Sequence, residues 1–227
     1  NIGLENDDMV NDYLSGVFHT IMMKDIIERH TIRNAVFLNN LIVFMADTVG
    51  KINSASSIAK YMKSKQMEVS INMVLNYMSY FSEAFLTHQV MRFDLHGKRL
   101  LENNGKCYFG DVGLRNFVAG GERSQDMEKI IENVVYLHLL RLGYMVQVGQ
   151  LRNSEIDFVC SKTNQKVYIQ VAYLIGNEET AKREFGNLRL IADNYPKYVI
   201  SATPLLKRSD VDGITHLHLR EFLKNGL

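Results

Sequence analysis

Apolar residues recur every three or four positions along residues 8–30, with Val10, Tyr13, Leu14, Val17, Ile21, Ile26 and Ile27 on one stripe and most charges off it. That period predicts a long helix, which breaks at Ile32, Arg33 and Asn34. A second, strongly apolar helix follows over residues 35–48. Gly50 ends it, because glycine accepts the left-handed backbone that closes a helix. Ser54 or Ser56 caps a third helix carrying Ile58, Ala59, Tyr61 and Met62, and Ser70 caps a fourth with Ile71, Val74, Leu75, Tyr77 and Met78. The period then falls to two. Residues 85–93 alternate as a strand, residues 94–98 turn, and residues 106–109 return. Three helices followed by a β-hairpin is the layout of a winged helix-turn-helix. A short helix over residues 111–119 precedes Gly120-Gly121, the best domain boundary.

Beyond it the pattern changes. Residues 125–142 predict a helix with Ile130, Ile131, Val134, Val135, Leu137, Leu139 and Leu140 inside, stopped by Gly143. Strands are expected over 144–148, 156–160 and 166–173, the last two joined by a tight turn at Asn164-Gln165. A helix over 178–193, strands over 197–202 and 215–219 and a helix over 220–224 complete the chain. The order α-β-β-β-α-β points to a mixed sheet flanked by helices, an α/β (α+β) domain. The expected organisation is a helical segment (1–33), a winged-helix domain (34–120) and a second α/β domain (121–227).

Composition narrows the function classes. Of 227 residues, 46% are apolar and 22% charged, with 26 Lys plus Arg against 25 Asp plus Glu. This is the balance of a soluble globular protein and excludes a uniformly basic nucleic-acid coat, though not a local patch. No uncharged apolar run nears the ~20 residues that span a bilayer, and the acidic start does not resemble a signal peptide. Two cysteines, Cys107 and Cys160, are too few for a disulfide framework and suit a reducing, cytoplasmic compartment.

The second-half order has a chemical use in the restriction-endonuclease-like, PD-(D/E)XK fold. There the first helix lends a Glu, the second strand an Asp, and the third strand carries Glu or Gln, one residue, then Lys. The carboxylates hold Mg²⁺ while the lysine positions or deprotonates water. Glu132 lies on the first helix here, and Asp157 on the second strand, with Glu155 two residues earlier on the same face. Gln170 lies on the third strand. Ala172 fills the lysine position, and a methyl group can neither stabilise a phosphorane nor activate water. Lys166 shares the face of Gln170 by strand parity and could reach the site from another backbone position. The bland alternatives are a solvated Glu on an amphipathic helix, a plain edge strand and an exposed Lys166 beside a turn.

Several segments in order resemble a known bacterial and archaeal family: Tyr13-Leu14, Thr20-Ile21, residues 24–29 and Ile32-Arg33, then residues 109–115, 132–136, 155–158 and 168–173. Together they look like the C-terminal region, of undefined function, of AAA-type ATP-binding proteins. The resemblance implies an N-terminal P-loop ATPase module, then a winged helix, then a restriction-endonuclease-like domain. Part of that family has Glu-x-Lys on the third strand and part, as here, Gln-Val-Ala-Tyr. This chain has no P-loop of its own: Gly50-Lys51 is followed by Ile52, and Met45 stands where the first Gly is needed. ATP would bind only in an N-terminal module, which the segment 1–33 would follow.

Residues 51–101 hold seven basic residues against three acidic ones, a local excess suited to phosphate contact. Asn72 and Asn76, at i and i+4 on the fourth helix, could pair with adenine edges, while His96, Lys98 and Arg99 on the wing would follow a DNA backbone. The same helix lacks Arg and Lys, as a protein-contact unit would. His216 and His218 share a strand face without a third ligand nearby. Three expectations follow: an effector region of an AAA-type ATPase whose degenerate nuclease-like domain binds DNA or a protein; an active Mg²⁺-dependent DNA nuclease using Glu132, Glu155 and Asp157 with Gln170 and a lysine from elsewhere; or a non-catalytic scaffold joined to the ATPase module.

Overall fold

A computed structural model describes residues 6–121, 124–152, 154–204 and 209–227. The first five positions of the expected helical segment lie outside them. The chain divides into two compact units. One comprises residues 1–89 and 107–124, the other residues 90–106 and 125–227.

The first unit is helical where the period of three to four predicts it. Helix α1 (Asp7–Thr20) starts at Asn6, whose side chain accepts from the Met9 N–H at 2.8 Å, and continues as a π-helix over Ile21–Glu28. Asn34 caps α2 (Ala35–Asp47), which buries Phe37, Leu38, Leu41, Ile42, Met45 and Ala46. Ser54 and Ser57 form a reciprocal capping box on α3 (Ala55–Ser64), and Ser70 caps α4 (Ile71–Glu83). Asp111 caps α5 (Val112–Val118), on which Arg115, 1% exposed, donates Nε–H to the Ala46 carbonyl at 2.9 Å.

The hairpin strands are β1 (Thr87–Asp94) and β2 (Arg99–Phe109). The returning strand is seven residues longer than residues 106–109 suggest, and residues 90–106 belong to the second unit rather than to the helices before them. The units otherwise divide between residues 124 and 125, close to the expected boundary at residue 120, and it is the transfer of residues 90–106 that departs from it. Parallel pairing with the next strand explains this: Arg92, Phe93 and Asp94 stand opposite Val148, Gly149 and Gln150. The Arg92 guanidinium also donates to the Gln150 side chain, and Leu95 N–H to the Gln150 carbonyl at 2.9 Å.

The second unit follows the expected order with α6 (Met127–Arg141), β3 (Met145–Leu151), β4 (Ser154–Lys162), β5 (Gln165–Ala172), α7 (Glu178–Arg189) and β6 (Lys197–Ser201). The short β7 (Ser209–Val211) is an addition, preceding β8 (Ile214–His218) and α8 (Leu219–Asn225). The strands form one mixed eight-stranded sheet in the order β2-β1-β3-β4-β5-β6-β8-β7. β3, β4 and β5 are antiparallel neighbours, while β5, β6 and β8 run parallel. Among the described residues, no helix is long and apolar enough to cross a membrane. A core of Ile156, Val159, Tyr168, Phe185, Leu188, Ile191, Val199 and Ile214 packs α7 on the sheet.

Two irregularities shape the region around β4. The β3–β4 register shifts between Gln147 and Gly149, a bulge that bends the strand. β4 also parts from β5, since their paired residues begin only at Phe158↔Ile169. Gly149 permits the first because a Cβ there would lie 2.8 Å from Ile156 Cβ and 2.9 Å from Val159 Cγ2. Gly149→Ala is therefore expected to cost about 1–3 kcal/mol by overpacking, measured by urea unfolding against the wild type. An unchanged midpoint would show that the strand crossing has room to spare.

Candidate active site

Asp157 stands where β4 leaves β5, and its carboxylate takes over from the interrupted ladder: Oδ2 accepts the Val171 N–H at 2.9 Å. Glu155, two residues back, shares its face, and its carbonyl accepts from Asn187 Nδ2 on α7 at 3.2 Å. Glu132 approaches from α6. The three carboxylates meet at one atom, Lys106 Nζ on β2, which lies 2.5 Å from Glu155 Oε1, 2.8 Å from Glu132 Oε1 and 3.1 Å from Asp157 Oδ1. All four residues belong to the second unit. The lysine side chain is 2% exposed, against 10% for Asp157, 16% for Glu132 and 33% for Glu155.

Burial alone would lower the lysine pKa, since it penalises the ammonium. Asp157, Glu132 and Glu155 outweigh it, so Lys106 is held well above the usual lysine range and stays charged. A lysine has three N–H donors, and three carboxylates stand ready to receive them.

Gln170 sits beside this cluster. Its Oε1 lies 3.4 Å from the Asp157 backbone nitrogen, and its side chain also hydrogen-bonds Glu184 on α7. Glu184 is 3% exposed and pairs with Arg183, whose Nη2 lies 2.7 Å from Glu184 Oε1. Burial pushes the Glu184 carboxyl up; Arg183 pulls against that shift, Asp157 adds to it, and Gln170 opposes it.

The structure thus brings Glu132, Glu155, Asp157 and Gln170 together. It does not bring Lys166. That side chain lies over the rings of Phe93, Tyr168 and Tyr195, 5.0–5.4 Å from their centroids, and the lysine at the site is Lys106. Ala172 is a buried core residue. The residues expected to meet nucleic acid fall into different units. Asn72 and Asn76 are exposed on α4 beside the exposed apolar side chains of Ile71 and Leu75. Lys98 and Arg99 lie at the hairpin turn of the second unit, where Arg99 Nε is 3.9 Å from Asp94 Oδ2. His96 and Lys98 line a cavity of about 750 Å³ with Arg152, Tyr168 and Asp193; none of the clustered carboxylates borders it. His216 and His218 are occupied locally, by Ser201 Oγ at 2.8 Å and by the Arg220 N–H at 3.0 Å. Both cysteines are free and buried. Burial pushes the Cys107 thiol up to about 12 and raises Cys160 further, so neither is a thiolate nucleophile near neutral pH.

Sequence reasoning missed Lys106, Arg183 and Glu184. The one available signal for Lys106 was a lysine opening the apolar run Cys107-Tyr108-Phe109 on a strand, where a charge has to find a partner.

Oxygen donors of this kind suit a hard divalent cation such as Mg²⁺. Among the described residues, however, no group of three or more His, Cys, Asp or Glu side chains stands arranged to hold a metal ion. The ammonium of Lys106 takes the point on which the carboxylates converge. Its removal would leave three like charges facing one another in a sheltered site. Lys106→Met is accordingly expected to cost about 3–5 kcal/mol in metal-free buffer, read by urea unfolding; a loss below about 1 kcal/mol would mean that water already screens the cluster.

Comparison with known proteins adds the following. A family model described as a domain of unknown function (DUF8612) matches residues 3–125. A Haemophilus influenzae protein described as uncharacterized is 34% identical over 210 residues, covering 92% of this chain and 51% of that protein. The Methanocaldococcus jannaschii protein MJ1544, also described as uncharacterized, is 31% identical over 185 residues, covering 78% of this chain and 38% of that protein. The chain spans about half or less of the length of these curated relatives. A crystal structure of the Vibrio cholerae protein VC1899 aligns with 98% of this chain and 56% of its own, at 13% identity and a TM-score of 0.30.

Proposed function

The chain belongs to the DUF8612 family, and from its acidic centre we propose that it is a divalent-cation-dependent phosphodiesterase acting on DNA, within a longer protein of the AAA-type ATP-binding class that its sequence resembles. The observation that carries this reading is the meeting of Lys106 with Glu132, Glu155 and Asp157. A nuclease-like centre with Ala172 in the lysine position needs an ammonium from elsewhere, and β2 supplies one.

Glu132, Glu155 and Asp157 are the oxygen donors through which a cation would act on a phosphate and its water, although as the chain stands Lys106 holds the point on which they converge and they are not arranged around a metal site. The remaining work falls to the chain's own groups. Asp157 is fixed by the Val171 N–H, so its other oxygen stays aimed at the centre. Lys106 brings a permanent positive charge to the place where phosphorane charge would develop. Gln170 ties the Asp157 backbone to Glu184 and keeps the gap between β4 and β5 in register. Lys98 and Arg99, on the hairpin of the same unit, supply positive charge for a nucleic-acid backbone.

A second reading draws on how completely the carboxylates engage Lys106. Here the cluster is a structural ion-pair node, and the region binds DNA or a protein without cutting.

Plasmid nicking separates the two. The first reading expects cleavage in Mg²⁺ or Mn²⁺, lost on chelation and reduced at least about a hundredfold in Asp157→Ala and Lys106→Met. Absence of metal-dependent cleavage, or cleavage indifferent to both substitutions, would overturn it.

A further inference from the structure

Four segments of the second unit enclose the cavity of about 750 Å³: the β1–β2 turn, the turn after β3, Tyr168 on β5 and residues 190–193 after α7. That volume lies in the range of small-molecule sites. Lys106, Glu132, Glu155 and Asp157 do not border it, so what it holds is independent of chemistry at the acidic centre.

The walls are of two kinds. Leu95, Leu151, Leu190 and Ile191 form an apolar side, while Lys98 and Arg152 bring positive charge and His96 and Ser154 add hydrogen-bonding groups. Among the described residues, neither Lys98 nor Arg152 makes an ion pair. The acid in the lining, Asp193, is already engaged: Oδ2 accepts from the Tyr168 hydroxyl at 2.5 Å and Oδ1 from the Tyr195 N–H at 3.3 Å. Lys166 lies over the Tyr168 ring at 5.0 Å. Burial pulls its ammonium below the ordinary lysine value; Asp193 opposes that and the like charge of Lys98 adds to it. Three cations thus gather around one committed carboxylate, a surplus that an anion would relieve.

The backbone holds the two lining cations at a cost. Lys98 and Arg152 both take left-handed conformations, with φ of 50° and 51°, where asparagine or glycine is the easier occupant. Their turns are also tied together. Arg92 on β1 donates to the Gln150 side chain, whose amide donates to the Arg152 carbonyl, and Asp94 Oδ1 accepts the His96 N–H at 3.0 Å. Cations fixed in this way lose little freedom when a ligand arrives.

We propose that this cavity binds a nucleoside phosphate, with the phosphate at Lys98 and Arg152 and the base against the leucine side. A bare phosphate would leave the apolar wall unused, and a lipid chain would leave Ser154 and His96 unpaired. The same group occurs as a free mononucleotide and at the phosphorylated end of a strand.

Titration calorimetry on the whole chain tests this with AMP, CMP, GMP and UMP, their nucleosides, inorganic phosphate, and a short single-stranded DNA with or without a 5′-phosphate. At least one monophosphate, or the phosphorylated strand, should bind at least about tenfold more tightly than its form lacking phosphate and than inorganic phosphate. Binding by the monophosphates identifies the free ligand, and binding by the phosphorylated strand alone identifies the strand end. Lys98→Asn and Arg152→Asn should each weaken binding at least about tenfold. Because asparagine suits the left-handed backbone, their urea-unfolding midpoints should stay level or rise. Binding that ignores the phosphate, matches inorganic phosphate alone or survives both substitutions overturns the proposal. So does the absence of binding by every probe, and so does a fall in both midpoints, which would give the two cations a structural role instead.

Discussion

Three carboxylates within hydrogen-bond reach of one point repel one another, and where water is largely excluded that repulsion needs a positive charge at the same place. Lys106 supplies it from β2, against Glu132 on α6 and Glu155 and Asp157 on β4. The cost of burying the ammonium is offset because three acids share it, where a single pair in the same surroundings would leave much of that cost unmet. The cluster links a helix and two strands that are far apart in sequence, and any chemistry proposed for this end of the sheet starts from its charge balance.

The backbone makes that meeting possible through two local departures from regularity. A bulge at Gly149 bends β3 against β4 where a side chain would strike Ile156 and Val159. The end of β4–β5 pairing at Phe158 frees the Asp157 carboxylate to cap the Val171 N–H. Regular pairing through this point would satisfy the backbone by itself and leave the carboxylate without that anchor. Parallel pairing of β1 with β3 then brings the hairpin, and Lys106 with it, into the same sheet as the acids.

Much of this was legible in the sequence because it depends on local period and spacing. The order from α6 to β6 follows from hydrophobic patterning, whereas the grouping of Glu132, Asp157 and Gln170 comes from matching that order to the restriction-endonuclease-like fold, with strand parity adding Glu155 beside Asp157. Lys106 was not legible. Its role depends on β1 crossing over to pair with β3, a long-range register for which the hairpin carries no local mark. The alternation that placed Lys166 on the face of Gln170 was no guide to its contacts, since Phe93, Tyr168 and Tyr195 hold the ammonium elsewhere. Glu184 escaped notice because an acid in the polar run of α7 reads as solvated until tertiary packing buries it.

The strength of the bond between Lys106 and its acids is open to direct measurement by a double-mutant cycle in metal-free buffer, pairing Lys106→Met with Asp157→Asn and reading unfolding free energies. A resident counter-ion predicts strong non-additivity, with a coupling of at least about 1.5 kcal/mol. Additive effects, with a coupling within about 0.5 kcal/mol of zero, would contradict the account, because the lysine would then not be what holds the acids together.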